Sequence, residues 1–157
     1  MKLLLMAVGR TNIDFVRRGI DEYLKRLSHY LPVEVKIIPD LKRTAGLTEA
    51  KQKEQEGTAI LSSLQVSDRV ILLDEKGKEY TSEEFASFME KQMASGVKRL
   101  VFVVGGPYGF STDVYNRADG KLSLSRMTFN HEMVRMFFVE QLYRSQTILR
   151  GEPYHHS

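Results

Sequence analysis

Few residues in this chain have the type and spacing to do chemistry. His131 and Arg135 stand four apart, so a helix carrying both presents them on one face. A neutral imidazole accepts a proton near physiological pH, and a guanidinium close by can hold a phosphate or a developing anion. The string His131-Glu132-Met133-Val134-Arg135 lacks the second histidine of a zinc-protease HExxH helix, and the chain has no cysteine, so no metal site is expected. The plainer alternative is a helix-start histidine with an arginine solvated or paired to Glu132 or Glu140. Near the end of the chain, Tyr154-His155-His156 offers a second imidazole in a tail that chain ends usually leave mobile.

Three segments look like ligand-facing ends of strands: Leu73-Asp74-Glu75, Gly105-Gly106-Pro107-Tyr108-Gly109 and Leu124-Ser125-Arg126-Met127-Thr128-Phe129. Paired glycines let a backbone approach a ligand closely. The spacing is nevertheless GGxxG, the loop follows the fourth strand, and the residue twenty positions on is Ser125. That is neither a dinucleotide fingerprint, which wants an acidic residue there, nor a Walker loop. A tight strand-to-helix turn fits equally well. The 122–129 segment reads as an edge strand and loop, or as a loop whose backbone reads a heterocycle between Leu124 and Met127.

The elements that must position these residues alternate from end to end. Apolar runs at Leu3–Val8, Val33–Ile38, Arg69–Leu73 and Leu100–Val104 predict strands, with Lys121–Leu124 extended. Lys76-Gly77-Lys78 reads as a turn. Ile13, Val16, Ile20, Leu24 and Leu27 give helical spacing over 13–28. Helices follow at 46–64, from the Thr81/Ser82 cap to Gly96, at 112–118 and at 131–147. In the 46–64 helix, Lys51–Glu56 is expected on the surface. The last helix carries apolar residues around almost its whole circumference, from Met133 to Tyr143, which predicts burial on all sides, one of them against a second copy of the chain. The alternation predicts an α/β fold, a parallel sheet with helices on both faces, in a single domain over 1–157.

With 23 Lys+Arg against 20 Asp+Glu the net charge is +3, which permits an RNA partner without demanding one. Arg117, Lys121, Arg126, Arg135, Arg144 and Arg150 cluster towards the C-terminus, with Arg10, Arg17, Arg18, Lys42 and Arg43 forming a second group. Beside Tyr108 and Tyr154 they suit phosphate contacts and base stacking, or simply a solvated face. No run reaches the ~18 apolar residues of a membrane span, and Met1–Val8 is too short for a signal peptide, so a cytoplasmic protein is expected.

Taken in order, Val8-Gly9, Glu22-Tyr23, Leu73-Asp74, Gly105-Gly106-Pro107-x-Gly109, Leu122-Ser123-Leu124-Ser125-x-Met127-Thr128, His131-x3-Arg135, Glu140-Gln141-x-Tyr143-Arg144 and Pro153-Tyr154-His155 resemble the bacterial ribosomal RNA large subunit methyltransferase H family. The resemblance spans essentially the whole chain. It implies a SPOUT fold with a C-terminal trefoil knot, a homodimer through the last helix, and methyl transfer from S-adenosyl-L-methionine to N3 of a pseudouridine in 23S ribosomal RNA, with the ribosome as partner.

Carried over by position, the resemblance assigns donor binding to Leu73, Gly105, Leu124, Ser125, Arg126, Met127, Thr128 and Phe129. His131 or His155 would remove the N3 proton. Arg135 would hold phosphate or stabilise the imide anion, with Arg144 and Tyr154 on RNA. His156 stands where the family commonly has a basic residue. A non-catalytic RNA- or nucleotide-binding module is the competing expectation. A flavodoxin-like phosphate binder is poorly supported, because only Gly9-Arg10-Thr11-Asn12 follows the first strand.

Overall fold

The computed structural model describes residues 1–41 and 45–156. Lys42 and Arg43, named above in the basic group, lie outside the described residues. Strands β1 (Lys2–Val8), β2 (Val33–Ile38), β3 (Arg69–Glu79), β4 (Arg99–Val104) and β5 (Gly120–Ser123) alternate with helices α1 (Asp14–Leu27), α2 (Glu49–Ser62), α3 (Ser82–Ala94), α4 (Thr112–Arg117) and α5 (Met133–Leu149). The strands form one parallel sheet in the order β2-β1-β4-β3-β5.

Because successive side chains of a strand point to opposite faces, the central strands feed two cores. Leu3, Leu5, Ala7, Leu100, Phe102 and Val104 pack with Val16 and Ile20 of α1, Phe85 and Met89 of α3, and Phe138, Val139 and Leu142 of α5. On the other face Leu4, Met6, Val8, Val101 and Val103 meet Ile60 of α2, Phe110, and Val114 of α4. Thr48, Thr81 and Ser111 cap α2, α3 and α4 by accepting from the N–H groups of Lys51, Glu84 and Val114.

Three expectations are corrected. The Lys76-Gly77-Lys78 turn does not end β3: the strand bulges after Leu73, and Lys78 rejoins β5 opposite Leu122. Gly77 permits this, since a Cβ there would stand 2.6 Å from the Leu122 nitrogen. The Lys51–Glu56 segment is not wholly on the surface. Glu56 and Gly57 are buried, and a Cβ on Gly57 would meet Ser111 Oγ at 2.3 Å. Finally, α5 begins after His131, which precedes the N-cap Glu132.

The C-terminal tail is irregular but packed. Gly151, at φ +67°, closes α5 in a Schellman motif, with Glu152 N–H donating to Thr147 O at 2.9 Å and Gly151 N–H to Ile148 O at 3.0 Å. Tyr30 then donates to Glu152 Oε2 at 2.5 Å, which pushes its phenol pKa up to about 12. Tyr154 donates to Glu140 Oε1 at 2.9 Å and lies 3.1 Å from the Tyr23 hydroxyl.

Candidate active site

At the carboxyl ends of β3, β4 and β5 lies a cavity of about 800 Å³. Open parallel sheets bind ligands at this edge. Leu73, Gly105, Leu124, Ser125, Met127, Thr128, Phe129 and His131 all line it, so the three suspected segments form one site. Arg126 is the exception. Its side chain is 88% exposed and lies 3.5 Å from Glu79.

The glycine loop lines the cavity and is tightly packed behind. Gly109 N–H donates to Gly106 O at 3.1 Å, and Gly109 sits at φ +84°, a conformation that favours glycine. A Cβ on Gly105 would stand 3.0 Å from the Phe110 ring, and one on Gly106 2.6 Å from Glu56 Oε1. At both positions the protein's own packing, against the Phe110 ring and the Glu56 carboxyl, leaves no room for a side chain.

The 124–131 segment is held by its own polar groups. Ser123 Oγ donates to Ser125 O at 2.8 Å, and Met127 N–H donates to Ser125 Oγ at 3.0 Å. Across the cavity Thr128 Oγ1 donates to Glu75 Oε2 at 2.8 Å, tying this loop to the β3 bulge. On the far side of the bulge Tyr115 donates to Asp74. Burial first, and then that hydrogen bond, raise the phenol pKa. Met127, 76% exposed, and Phe129 supply apolar wall at the rim. Asp74 and Glu75 place negative charge beside it, with Lys53 and Lys76 opposing.

His131 reaches the cavity because its neighbours anchor the chain on both sides. Glu132 Oε1 accepts from the backbone N–H groups of Asn12 and Ile13 at 2.6 and 2.9 Å, capping α1, whose own N-cap side chain makes no such bond. Arg135 donates to Val8 O at 2.8 Å, Gly9 O at 2.7 Å, Thr11 Oγ1 at 3.1 Å and His131 O at 3.2 Å. The two side chains clamp the β1–α1 connection against the start of α5.

Arg135 therefore does not stand where the sequence placed it. It is 2% exposed, and its guanidinium is spent on backbone rather than aimed at phosphate or a substrate anion. Burial pushes its pKa down, and Glu132 and Asp40 counteract this. It remains charged, as guanidinium does in proteins.

His155 is also engaged elsewhere. Arg144 Nη1 lies 3.0 Å from its Nδ1, and its Nε2 lies 2.8 Å from Glu83 Oε1. Arginine only donates, so Nδ1 accepts and Nε2 carries the proton given to Glu83. This contact holds the Glu83 carboxyl below its usual pKa. Arg144 also pairs with Glu140 at 2.5 Å and covers the Tyr154 ring, its carbon 4.8 Å from the centroid. His155, Arg144 and Tyr154 form a second cluster on α5 and the tail, separate from the cavity lining. Arg117 too is internal, donating to Gln65 O and Asp68 O at 3.0 Å each.

Several cavity residues carried no signal in the reading by motif: Tyr115, Phe110, Asn130 and the Glu49–Lys53 edge of α2. The spacing Glu49, Lys53, Glu56, Ile60 is one helical stripe, and Gly57 beside it marks a close approach. Among the described residues no cluster of three or more His, Asp or Glu is placed to hold a metal, and no helix is long and apolar enough to cross a membrane.

A parallel α/β sheet with a cavity at the carboxyl ends of its strands is the architecture in which open sheets place their ligand sites. The chain belongs to the SPOUT methyltransferase family: the profile described as "Predicted SPOUT methyltransferase" matches residues 1–155. It is 54% identical over 156 residues to the Ribosomal RNA large subunit methyltransferase H of Parabacteroides distasonis, covering 99% of each chain. It is 55% identical to the protein of the same name from Christiangramia forsetii, again over 99% of each. Among solved structures, TrmJ from Z. mobilis superposes over 99% of this chain and 73% of its own, with a TM-score of 0.51 and 13% identity, which supports the fold.

Proposed function

We propose that this chain methylates N3 of a pseudouridine in 23S ribosomal RNA, using S-adenosyl-L-methionine. The observation that carries this is the convergence of Leu73, Gly105, Leu124, Ser125 and the 127–129 segment on one cavity with His131 at its wall. The cavity fits the donor: Gly105 and Gly106 line it, Leu73, Leu124 and Met127 give apolar wall, and the carboxylates of Asp74 and Glu75 suit a cationic sulfonium. When bound, the donor supplies an electrophilic methyl group. The protein's part is to hold it in line with N3 and to accept the N3 proton.

His131 is the proton acceptor in this reading, since it lines the cavity whereas His155 is bonded through both ring nitrogens. Arg135 acts through His131, whose carbonyl it holds, and is a positioning residue. Arg126, exposed at the rim, and the Arg144–Tyr154–His155 cluster are assigned to RNA.

The active form is a homodimer through α5. Phe137 on that helix is 40% exposed in the single chain and packs its ring 5.3 Å from Phe129. It also lines a second, more apolar hollow of about 320 Å³ with Phe85, Leu124 and Gln141. A C-terminal trefoil knot belongs to this reading, and it is supported by β5 adding beside β3 and α5 packing against α1 and α3. The substrate is the ribosome, which places the enzyme in the cytoplasm.

Calorimetric titration with S-adenosyl-L-methionine tests the site. Saturable binding at one or more sites per dimer is expected, and absence of binding at millimolar donor contradicts the assignment.

A further inference from the structure

A second hollow, of about 390 Å³, lies beside the donor cavity at the β5 edge of the sheet. Lys76, Tyr115, Ala118, Asp119, Gly120 and Lys121 line it. Lys76 and Tyr115 line the cavity as well, so the two spaces share one wall. The fold brings the two lysines together by a local device. β3 bulges after Leu73 and rejoins β5 at Lys78, which leaves Lys76 in the bulge, while Lys121 stands on β5 opposite Leu72.

These lysines differ from most cations in the C-terminal half. Arg117 and Arg135 are spent on backbone carbonyls, and Arg144 is paired with Glu140. Lys76 and Lys121 are exposed, and among the described residues neither enters an ion pair. The carboxylates around them are already engaged. Asp119 Oδ2 accepts from Val70 N–H at 2.8 Å and pairs with Arg117 at 3.4 Å. Asp74 accepts from Lys76 N–H at 2.8 Å and from the Tyr115 hydroxyl, and Glu75 accepts from Thr128 Oγ1 at 2.8 Å.

Tyr115 adds no charge, because burial and then Asp74 raise its phenol pKa. Its ring lies under the Lys121 ammonium, 5.5 Å from Nζ to the centroid. That contact places the lysine without using any of its N–H donors. A concave surface lined by unpaired positive charge collects anions.

We propose that Lys76 and Lys121 seat a phosphodiester of the RNA strand, next to the nucleotide whose base enters the donor cavity. This rests on the RNA methyltransferase reading. A base turned into the cavity leaves its sugar-phosphate at the rim, where Lys76 and Tyr115 divide cavity from hollow. The seat reads no sequence. It fixes the register of the strand, as phosphate contacts do.

The first test is ribosome methylation measured against salt concentration, for wild type, Lys121→Gln, Lys121→Arg and Lys91→Gln. Lys121 lies outside the donor cavity lining, and Lys91, exposed in the last turn of α3, removes the same charge elsewhere. For Lys121→Gln, kcat/KM is expected to fall about threefold or more through KM, with kcat retained. The slope of log kcat/KM against log salt should become shallower by about 1. Lys121→Arg and Lys91→Gln should behave as wild type, and donor affinity should be unchanged in all three. An unchanged KM and slope in Lys121→Gln, or the same change in Lys91→Gln, overturns the seat.

The second test needs no activity and separates a strand from a free anion. The Lys121 and Tyr115 side-chain resonances are followed by NMR as the protein is titrated with a short single-stranded RNA carrying pseudouridine, with its uncharged methylphosphonate counterpart, and with inorganic phosphate. Both residues are expected to respond to the charged strand, at lower concentration than to phosphate. No response to the charged strand, an equal response to the uncharged one, or an equal affinity for phosphate overturns the proposal. A wild type inactive on ribosomes instead overturns the activity, while these titrations still decide the seat.

Discussion

Arg135 and Gly9, 126 positions apart, are joined by a 2.7 Å hydrogen bond from a buried guanidinium to a backbone carbonyl. With Val8 O and Thr11 Oγ1 as further acceptors, this arginine fastens the end of the first strand to the helix that follows His131. Lysine has one compact donor group and cannot reproduce the fork. Arg135→Lys is expected to lose about 2 kcal/mol of stability in denaturant unfolding. Turnover should fall as well, since displacing a base by about 1 Å can cost on the order of a hundredfold. Unchanged stability and turnover would contradict the clamp.

Gly105→Arg should abolish donor binding in calorimetry while the protein remains dimeric by light scattering. Even a Cβ at this position meets the Phe110 ring at 3.0 Å, and both residues line the cavity, so a long side chain there disturbs its wall. Donor binding of wild-type strength in this variant would move the site elsewhere.

Asp68 makes stability depend on pH. Burial raises its pKa, but hydrogen bonds from Arg99 Nε at 2.8 Å, Arg99 Nη2 at 2.5 Å and Gln65 N–H at 2.7 Å outweigh this, and the net shift is downward. A depressed carboxyl pKa stabilises the fold above the unfolded value, about 3.9, and the contribution is lost as pH falls through the folded one. Asp68→Asn should lower stability at pH 7 by about 3 kcal/mol, leaving Arg99 unpaired, with the gap to wild type closing below about pH 4. A gap constant from pH 7 to pH 3 would refute this.

Naked oligonucleotides carrying the target pseudouridine are expected to be much poorer substrates than assembled ribosomes. The cavity accounts for a base and a donor, and the remaining basic groups are partly spent internally, as Arg117 and Arg135 show. Equal turnover on both substrates would show that recognition is local.

The strands were legible because both faces of β1 and β4 are buried, which makes their sequences unbroken apolar runs. The end of β3 was not, because Lys76-Gly77-Lys78 has turn composition while the close approach of Gly77 to Leu122 is set by tertiary packing. The cavity loops were legible as strand ends, and so was His131. Arg135 was misplaced, although its helix held the clue: apolar residues on almost every side leave a guanidinium no solvated face. Glu56 was hidden by the polarity of α2, whose charges look alike in sequence and differ only in which turn meets the glycine loop.

The central claim is tested most directly by methyl transfer itself. Ribosomes lacking the modification are incubated with isotopically labelled S-adenosyl-L-methionine and the wild-type protein or His131→Ala, and the labelled nucleotide is mapped by mass spectrometry. The expected result is one methyl group per ribosome on N3 of a pseudouridine in 23S RNA, with a rate about 10²–10⁴-fold lower for His131→Ala. No label from a wild type that binds the donor, or full activity without His131, would contradict it.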